Sequence, residues 1–462
     1  MTDRETKRSV LIVATFAAFL TPFMGSSVNL ALPSIGAEFA TSAINLNWIV
    51  SSYILSSAMF LLPFGRLADI AGRKKVFSAG ILLFTISSFL VVFSRTFITL
   101  LILRVLQGIS SAMIFGTSMA IITSVFPPGE RGKALGINVT AVYLGLSGGP
   151  FLGGLLTRLL GWRAVFLVLV PLGMVSLILL ATRMKGEWAE SRGDRFDWKG
   201  SLMYGVALLL LMYGFSELPG LKGLTMIVAG VVVFVLFLFV ERRTANPVLN
   251  ISIITGNRVF GWSSLAALIH YSATSSIGFF MSLYLQYIKG IDPARAGLIM
   301  ITWPVTMALL SMAAGRLSDR INAGIVASAG MSVTAASIFL MCFITETTPV
   351  YRIIVLLILT GGGFAFFSSP NSNAIMSSVE KRNLGLASAI VGTMRMTGQM
   401  MAMGISMLLF ALFLGDSPII PGNYSSFLAS MKTALVISAV LCVLGVFASL
   451  ARTPSGKNNK NS

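Results

Sequence analysis

Three observations predict an all-α polytopic membrane protein made of two six-helix bundles with two further helices inserted between them. Apolar runs of membrane-spanning length recur from end to end, charge is scarce and lopsided, and short motifs return after about 250 residues. Of the 462 residues, 55% are apolar and only 11% charged. Soluble domains carry about 25% charged residues, so hydrocarbon is this chain's main solvent and a soluble enzyme is excluded. The net charge of +18 would suggest nucleic acid in a soluble protein. In a membrane protein it is the signature of loops retained at the inner leaflet, so no nucleic-acid partner is expected. The two cysteines, Cys342 and Cys442, lie inside apolar runs, and His270 is the only histidine. No disulfide framework, metal site or cofactor is expected from so few ligating groups.

The spans follow in order. The start, MTDRETKRSV, puts a basic flank before an apolar run that continues to Leu32-Pro33 without a small-residue cleavage site, so it reads as an uncleaved first span. Thirteen more follow at roughly 44–64, 76–94, 97–126, 134–157, 163–182, 200–216, 223–240, 259–287, 296–314, 324–344, 352–376, 384–414 and 432–450, each near the ~20 residues that cross a bilayer. Fourteen spans place both termini on one side. That side and its loops hold 24 of the 34 Lys and Arg, the opposite loops hold 8, and Arg104 and Arg395 lie inside spans. The excess of bases assigns the terminal side to the cytoplasm of a cell (inner) membrane.

Internal repetition divides the chain. Gly65-Arg66-Leu67-Ala68-Asp69 after the second span returns as Gly315-Arg316-Leu317-Ser318-Asp319 after the tenth, and Gly108 and Gly145 return as Gly361 and Gly398, 253 residues on. Homologous six-helix halves would repeat at spans two and eight, so the extra pair is an insertion. The expected division is residues 8–182 for the first bundle, 183–257 for linkers and the inserted pair, 258–451 for the second bundle and 452–462 for a cytoplasmic tail. Parallel halves around a central cavity are a transporter architecture, since one half can rock against the other. The loop from Arg183 to Lys199 reads as a solvated hinge.

Three motifs carry chemistry of their own. In Gly65 to Lys75, Gly72 allows a tight reversal, and Asp69 is placed to accept amide hydrogen bonds or to pair with an arginine. In the fifth span, Gly145, Gly149 and Gly153 share a helix face that permits close backbone approach, and Pro150, beside Gly153-Gly154, favours a bend. Arg104 lies mid-span with Gln107 and Gly108. A charge there costs about 2.5–3.5 kcal/mol on insertion scales, so it must face protein or a wet cavity, and the same holds for Arg395.

With these motifs in order, the chain resembles the major facilitator superfamily, and within it the fourteen-spanner drug:proton antiporter branch. Asp197-Trp198-x-Gly200 and Pro370-Asn371 fit the same branch. The resemblance implies the major facilitator fold and proton-coupled, multidrug-type efflux of small hydrophobic or amphipathic compounds by alternating access. It implies a cytoplasmic latch of Gly65, Arg66, Asp69, Gly72, Arg73 and Lys74, echoed by Gly315, Arg316 and Asp319, with the repeated core mattering more than the basic run. It also implies an antiporter seam of Gly145, Gly149, Pro150, Gly153 and Gly154, and coupling roles for Arg104 and Arg395.

The acids depart from that pattern. None of the sixteen lies mid-membrane, and Met24 stands where the branch carries a first-span Asp ahead of Asn29-Leu30-Ala31-Leu32-Pro33. Protons remain the expected coupling ion, with His270 or the rim acid Glu217 as candidate carriers. Asn29, Trp48, Tyr53, Tyr143, Tyr271, Asn371 and Asn373 are the candidate substrate-cavity residues. The alternative is export of an anionic metabolite or lipid-like substrate bound by the buried arginines, without a carboxylate-based proton route. An enzyme would cluster His, Asp or Glu at one membrane face, and no such cluster surrounds His270. The expected partners are a small-molecule substrate and the lipid bilayer, and the expected state is a monomer.

Overall fold

The computed structural model describes residues 3–184, 186–380 and 384–452. Lys185, Lys381, Arg382 and the 453–462 part of the tail lie outside the described residues. The fold class is the expected one: the described chain is almost wholly helical. Fourteen helices of spanning length occur among the described residues. In the first half they are α1 (Asp3–Phe39), α2 (Ala43–Ala71), α3 (Arg73–Val91), α4 (Phe97–Val125), α5 (Pro128–Leu160) and α6 (Arg163–Arg183). The inserted pair is α7 (Trp198–Glu217) and α8 (Leu221–Glu241). The second half holds α9 (Arg258–Leu283), α10 (Pro293–Arg320), α11 (Ala323–Met341), α12 (Val350–Ser377), α13 (Leu384–Phe413) and α14 (Tyr424–Ala451).

Thirteen of these are apolar enough along their length to be membrane spans on composition alone, and α9 is the exception. It is long enough, since 26 residues span about 39 Å at 1.5 Å each. Its polarity comes from Ser263, Ser264, Ser272, Thr274, Ser276 and Ser282, all of which are buried. Several of their hydroxyls return to carbonyls one turn back, as from Thr274 to His270 at 2.8 Å, or cross to a neighbour, as from Ser282 to Asn29, while that of Ser264 has no partner. A helix that meets protein on all sides need not be apolar all round.

The repeat noticed in the sequence is also a repeat in space. A Cβ on Gly145 would meet the Phe19 carbonyl oxygen at 2.6 Å and the Phe23 nitrogen at 3.1 Å. One on Gly398 would meet the Leu268 oxygen at 2.6 Å and the Ser272 nitrogen at 3.1 Å. Gly108 and Gly361 likewise press on the carbonyls of Tyr53 and Trp303, which are 250 positions apart. The glycines recur because the same helix crossings recur, α5 on α1 and α13 on α9.

The inserted pair is peripheral. Only 17% of the core window of α8 is buried, against 67% for α2. Helix α7 lies against both α2 and α13, with Phe215 on Gly404 and Tyr213 beside Trp48. It covers the lateral seam where the two halves meet. Below, the face that carries the chain's ends is called the basic face.

Candidate functional site

The loop after α2 is not free. Helix α2 ends at Gly72, whose φ of 119° only glycine adopts readily, and α3 begins one residue later. The segment predicted to be a solvated hinge docks onto this corner, which corrects that expectation. The Arg73 guanidinium donates to Asp69 at 2.7 Å and Glu190 at 2.7 Å, to Ser124, and to the Ala120 carbonyl at 3.2 Å. Arg66 donates to Asp194 at 2.7 Å and to Ser191 at 3.1 Å. Glu187 accepts from the Lys74 backbone amide at 2.8 Å, placing a carboxylate on the N-terminus of α3, where amides and the helix dipole favour one. Backbone bonds run from Arg73 N to Trp188 O and from Ser191 N to Asp69 O. Asp69 therefore pairs with an arginine of its own motif, and Glu187, Glu190 and Asp194 complete the clamp.

The glycine seam of α5 serves two neighbours. Gly145, Gly149 and Gly153 meet α1 around Phe19, Phe23, Ser26 and Ser27. Gly154 presses on the Pro293 carbonyl, and the Pro150 carbonyl presses on Gly297, so the same stretch joins the first half to α10 of the second. These contacts lie toward the face opposite the basic one. Other bridges between halves gather there: Arg158 with Asp292 at 3.3 Å, Asn47 Nδ2 to the Met403 carbonyl at 3.2 Å, Ser282 Oγ to the Asn29 carbonyl at 2.5 Å, and Ala43 N to Ser417 O at 3.1 Å.

Between the halves, aromatic and polar side chains from both sides converge. Tyr143 and Leu146 of α5 pack on Met307, Phe364, Tyr271 and Trp303 of the second half. The Tyr143 hydroxyl lies near Ser311 and Ser368. Arg395 of α13 stacks across the seam on Phe115 of α4, with its guanidinium carbon 4.2 Å from the ring centroid. Its Nε is buried without a hydrogen-bond partner, as are Trp303 Nε1 and Asn29 Oδ1. Tyr53 is tied to Ser111 at 2.8 Å.

The remaining candidates have other surroundings. Arg104 is 1% exposed and sits within the first half, donating to the Ile49 carbonyl at 2.9 Å and to Gln107 at 2.8 Å, over the Tyr53 ring. Its charge is absorbed by the bundle that holds it. His270 is wholly buried against Phe364 and Phe367, with ring centroids at 4.8 and 4.1 Å, and neither ring nitrogen has a partner. Trp48 faces the inserted Tyr213. Asn371 accepts from Arg452 at 2.6 Å and donates to the Ser263 carbonyl, and Asn373 donates to Ser318 and Asp319. Both asparagines brace the basic-face corner of the second half, away from the seam. Glu217 pairs with Lys222 at the far end of the inserted helices.

Sequence reading missed the linker acids, Phe115, Trp303 and Arg452. One signal was available for the first group: Glu187, Glu190 and Asp194, three and four residues apart, answer the basic run Arg73-Lys74-Lys75. Nothing in the spacing marked the others.

Two bundles joined at a seam, with a covering helix pair, define the architecture of a membrane transporter. The sequence profile of the Major Facilitator Superfamily matches residues 14–264 and 263–462, and the chain belongs to this family. It is a multi-pass membrane transporter and not an enzyme. Its relatives include the riboflavin transporter RibZ of Clostridioides difficile, 27% identical over 95% of both chains. The cephamycin export protein CmcT of Amycolatopsis lactamdurans is 30% identical over 98% of this chain and 95% of its own. The multidrug resistance protein Stp of Mycobacterium tuberculosis is 29% identical over 85% of this chain and 74% of its own. Among solved structures, a bacterial homolog of the human lysosomal transporter Spinster, in an inward-facing and occupied conformation, superposes with a TM-score of 0.71 over 97% of each chain at 15% identity. The last shows likeness of fold.

Proposed function

We propose that this chain is a secondary active exporter of small hydrophobic or amphipathic compounds, energised by the proton-motive force. The observation that carries the reading is the seam itself. Tyr143, Arg395, Phe115, Trp303 and Phe364 come from both halves and meet midway, while the glycine contacts of α5 shut the face opposite the basic one. A site shared by both halves and sealed at one end is what alternating access requires. The asymmetry of 24 against 8 bases supports a cytoplasmic basic face with both termini in the cytoplasm of a cell membrane, which makes the sealed end the outer one. Relatives named for export and drug resistance support the outward direction. Aromatic and methionine side chains along the seam suit a tolerant surface.

A proton-carrying side chain is harder to place. His270 is enclosed by rings, Phe364 of the seam among them, with neither ring nitrogen bonded, and Glu217 is occupied by Lys222 at the rim, so neither expected carrier presents a free titrating group to the seam. The energy input is therefore assigned to the proton-motive force as a whole. Reconstitution into proteoliposomes tests the reading: fluorescent amphipaths should move under an imposed proton-motive force and stop when a protonophore collapses it. Movement that persists unchanged after collapse refutes active export.

A further inference from the structure

We propose that the substrate bears an anionic group, that the guanidinium of Arg395 receives it at the seam, and that each export cycle carries one negative charge outward. This rests on the exporter reading and adds to it the charge of the cargo and the form of the energy used.

Arg395 is a cation without a counter-ion. It enters no ion pair among the described residues, and its Nε is a buried donor with nothing to donate to. What faces it is aromatic or hydroxylic: Phe115 beneath the guanidinium, and Tyr53 and Tyr143 close enough to feel its charge. The Tyr53 hydroxyl is already engaged with Ser111, and that of Tyr143 lies beside Ser311 and Ser368. Trp303 Nε1 is a second buried donor without a partner along the same seam. No Asp or Glu lies mid-span to balance these groups. The other mid-span cation, Arg104, is spent on Ile49 and Gln107 within the first half. The unpartnered acceptor noted at the seam, Asn29 Oδ1, is a neutral amide oxygen, so the guanidinium of Arg395 still lacks an anion. A carboxylate or sulfonate supplies one, through charge-assisted bonds that a guanidinium makes well. A cationic substrate would be repelled, and a neutral one would leave the partly buried arginine without a counter-charge.

The same charge fixes the energetics. An empty seam carries one positive charge and a loaded seam none. A membrane potential that is negative inside draws the empty seam back toward the cytoplasm and does not oppose the neutral, loaded passage outward. One charge per cycle lets 100 mV sustain about a fifty-fold concentration ratio, with no proton bound by the protein.

Full-length protein in proteoliposomes tests this with three matched probes: dansylglycine (anionic), dansylamide (neutral) and dansylcadaverine (cationic). The driving force is a potassium diffusion potential set by valinomycin at equal pH on both sides, compared with an imposed pH gradient at zero potential. The expected result is potential-driven movement of dansylglycine, with the initial rate reduced at least tenfold in Arg395→Gln and partly restored in Arg395→Lys. Preference for dansylcadaverine overturns the proposal, and so does dansylglycine transport that answers to a pH gradient and not to potential. These two arms use the wild-type chain and stand even where a variant fails to fold. A wild type that moves dansylamide or dansylcadaverine but not dansylglycine defeats this inference alone. One that moves none of the three under either force defeats the exporter reading with it.

Discussion

The same short motif ends the second helix of each half, and the two copies are held in different ways. In the first half, Arg66, Arg73 and Lys74 grip the linker through Asp194, Glu190, Glu187 and Met184. In the second half, Arg316 is exposed and Asp319 has Asn373 as its neighbour. The position that repeats Arg73 after 250 residues is Ala323, whose carbonyl accepts instead from Arg452, at the far end of the chain. Arg452 also donates to Asn371 and Ser263. Each half thus keeps one buried arginine at its basic-face corner, delivered by different elements. Only the first arginine reaches out to acids beyond its bundle. The clamp draws on both parts of the motif, Arg66 and Asp69 of the Gly-Arg-Leu-x-Asp core and Arg73 and Lys74 of the basic run, and it is the basic run that the second half lacks. As a consequence the linker travels with the first half when the halves rock.

The largest effect should come from Arg73→Ala. Arg73 is 4% exposed and holds Asp69 and Glu190, so removing it leaves carboxylates facing each other. A loss of about 3–5 kcal/mol is expected, seen as a lower unfolding temperature in detergent and as new protease cutting between residues 184 and 197. Arg316→Ala should change stability by less than about 0.5 kcal/mol. Equal losses from the two variants would abolish the distinction drawn between the halves. Arg452→Gln should fall between them, at about 1–2 kcal/mol. Burial brings its guanidinium down to about 10, so it is charged at neutral pH. It bonds only to neutral acceptors, and its loss strands no carboxylate. A smaller effect is expected at the rim of the clamp, where Arg66 meets the more exposed Asp194. A double-mutant cycle of Arg66→Ala and Asp194→Ala should give a coupling of about 0.5–1 kcal/mol, and a coupling of zero would remove this pair from the clamp.

Much of this was legible in the chain, for identifiable reasons. Spans are written as apolar runs, and even α9 was found despite its serines, because its serines and threonines come in short groups between apolar residues. The repeat was legible because Gly108, Gly145, Gly361 and Gly398 are demanded by backbone contact, and backbone contact admits no substitute. The docking of residues 184–197 was not, because pairs such as Arg66 and Asp194 are far apart in sequence and follow no period. Nor did spacing tell which way a mid-span arginine points. Arg104 turns into its own bundle and Arg395 into the seam, a difference of helix rotation that both sequences would tolerate. Asn371 and Asn373 were mistaken for cavity residues for the same reason: polarity on an inner helix marks a hydrogen bond without naming the partner.

The finest test concerns the point where the two arms of the linker meet. Asp197 ends the arm that docks on the first half and caps α7 by accepting from Gly200 at 2.9 Å. Glu241 ends α8, accepts from Leu249 at 3.1 Å in the arm leading to the second half, and is 2% exposed. The two carboxyl groups are within hydrogen-bonding reach, over a glycine whose Cβ would collide with both. Asp197 Oδ2 and Glu241 Oε1 face each other with no donor between them. Two acceptors in that arrangement repel unless a proton joins them. Glu241→Gln supplies an N–H in place of that proton while keeping the shape. It should therefore stabilise the protein by about 0.5–1 kcal/mol, most at alkaline pH, where the native pair is bare, and least in acid, where a proton already bridges it. Unfolding temperatures of wild type and variant across pH should converge on acidification. A variant that is less stable at every pH would mean that Glu241 holds the arms together as an anion, and that the two linker arms are joined by charge in the same way as the clamp on the first half.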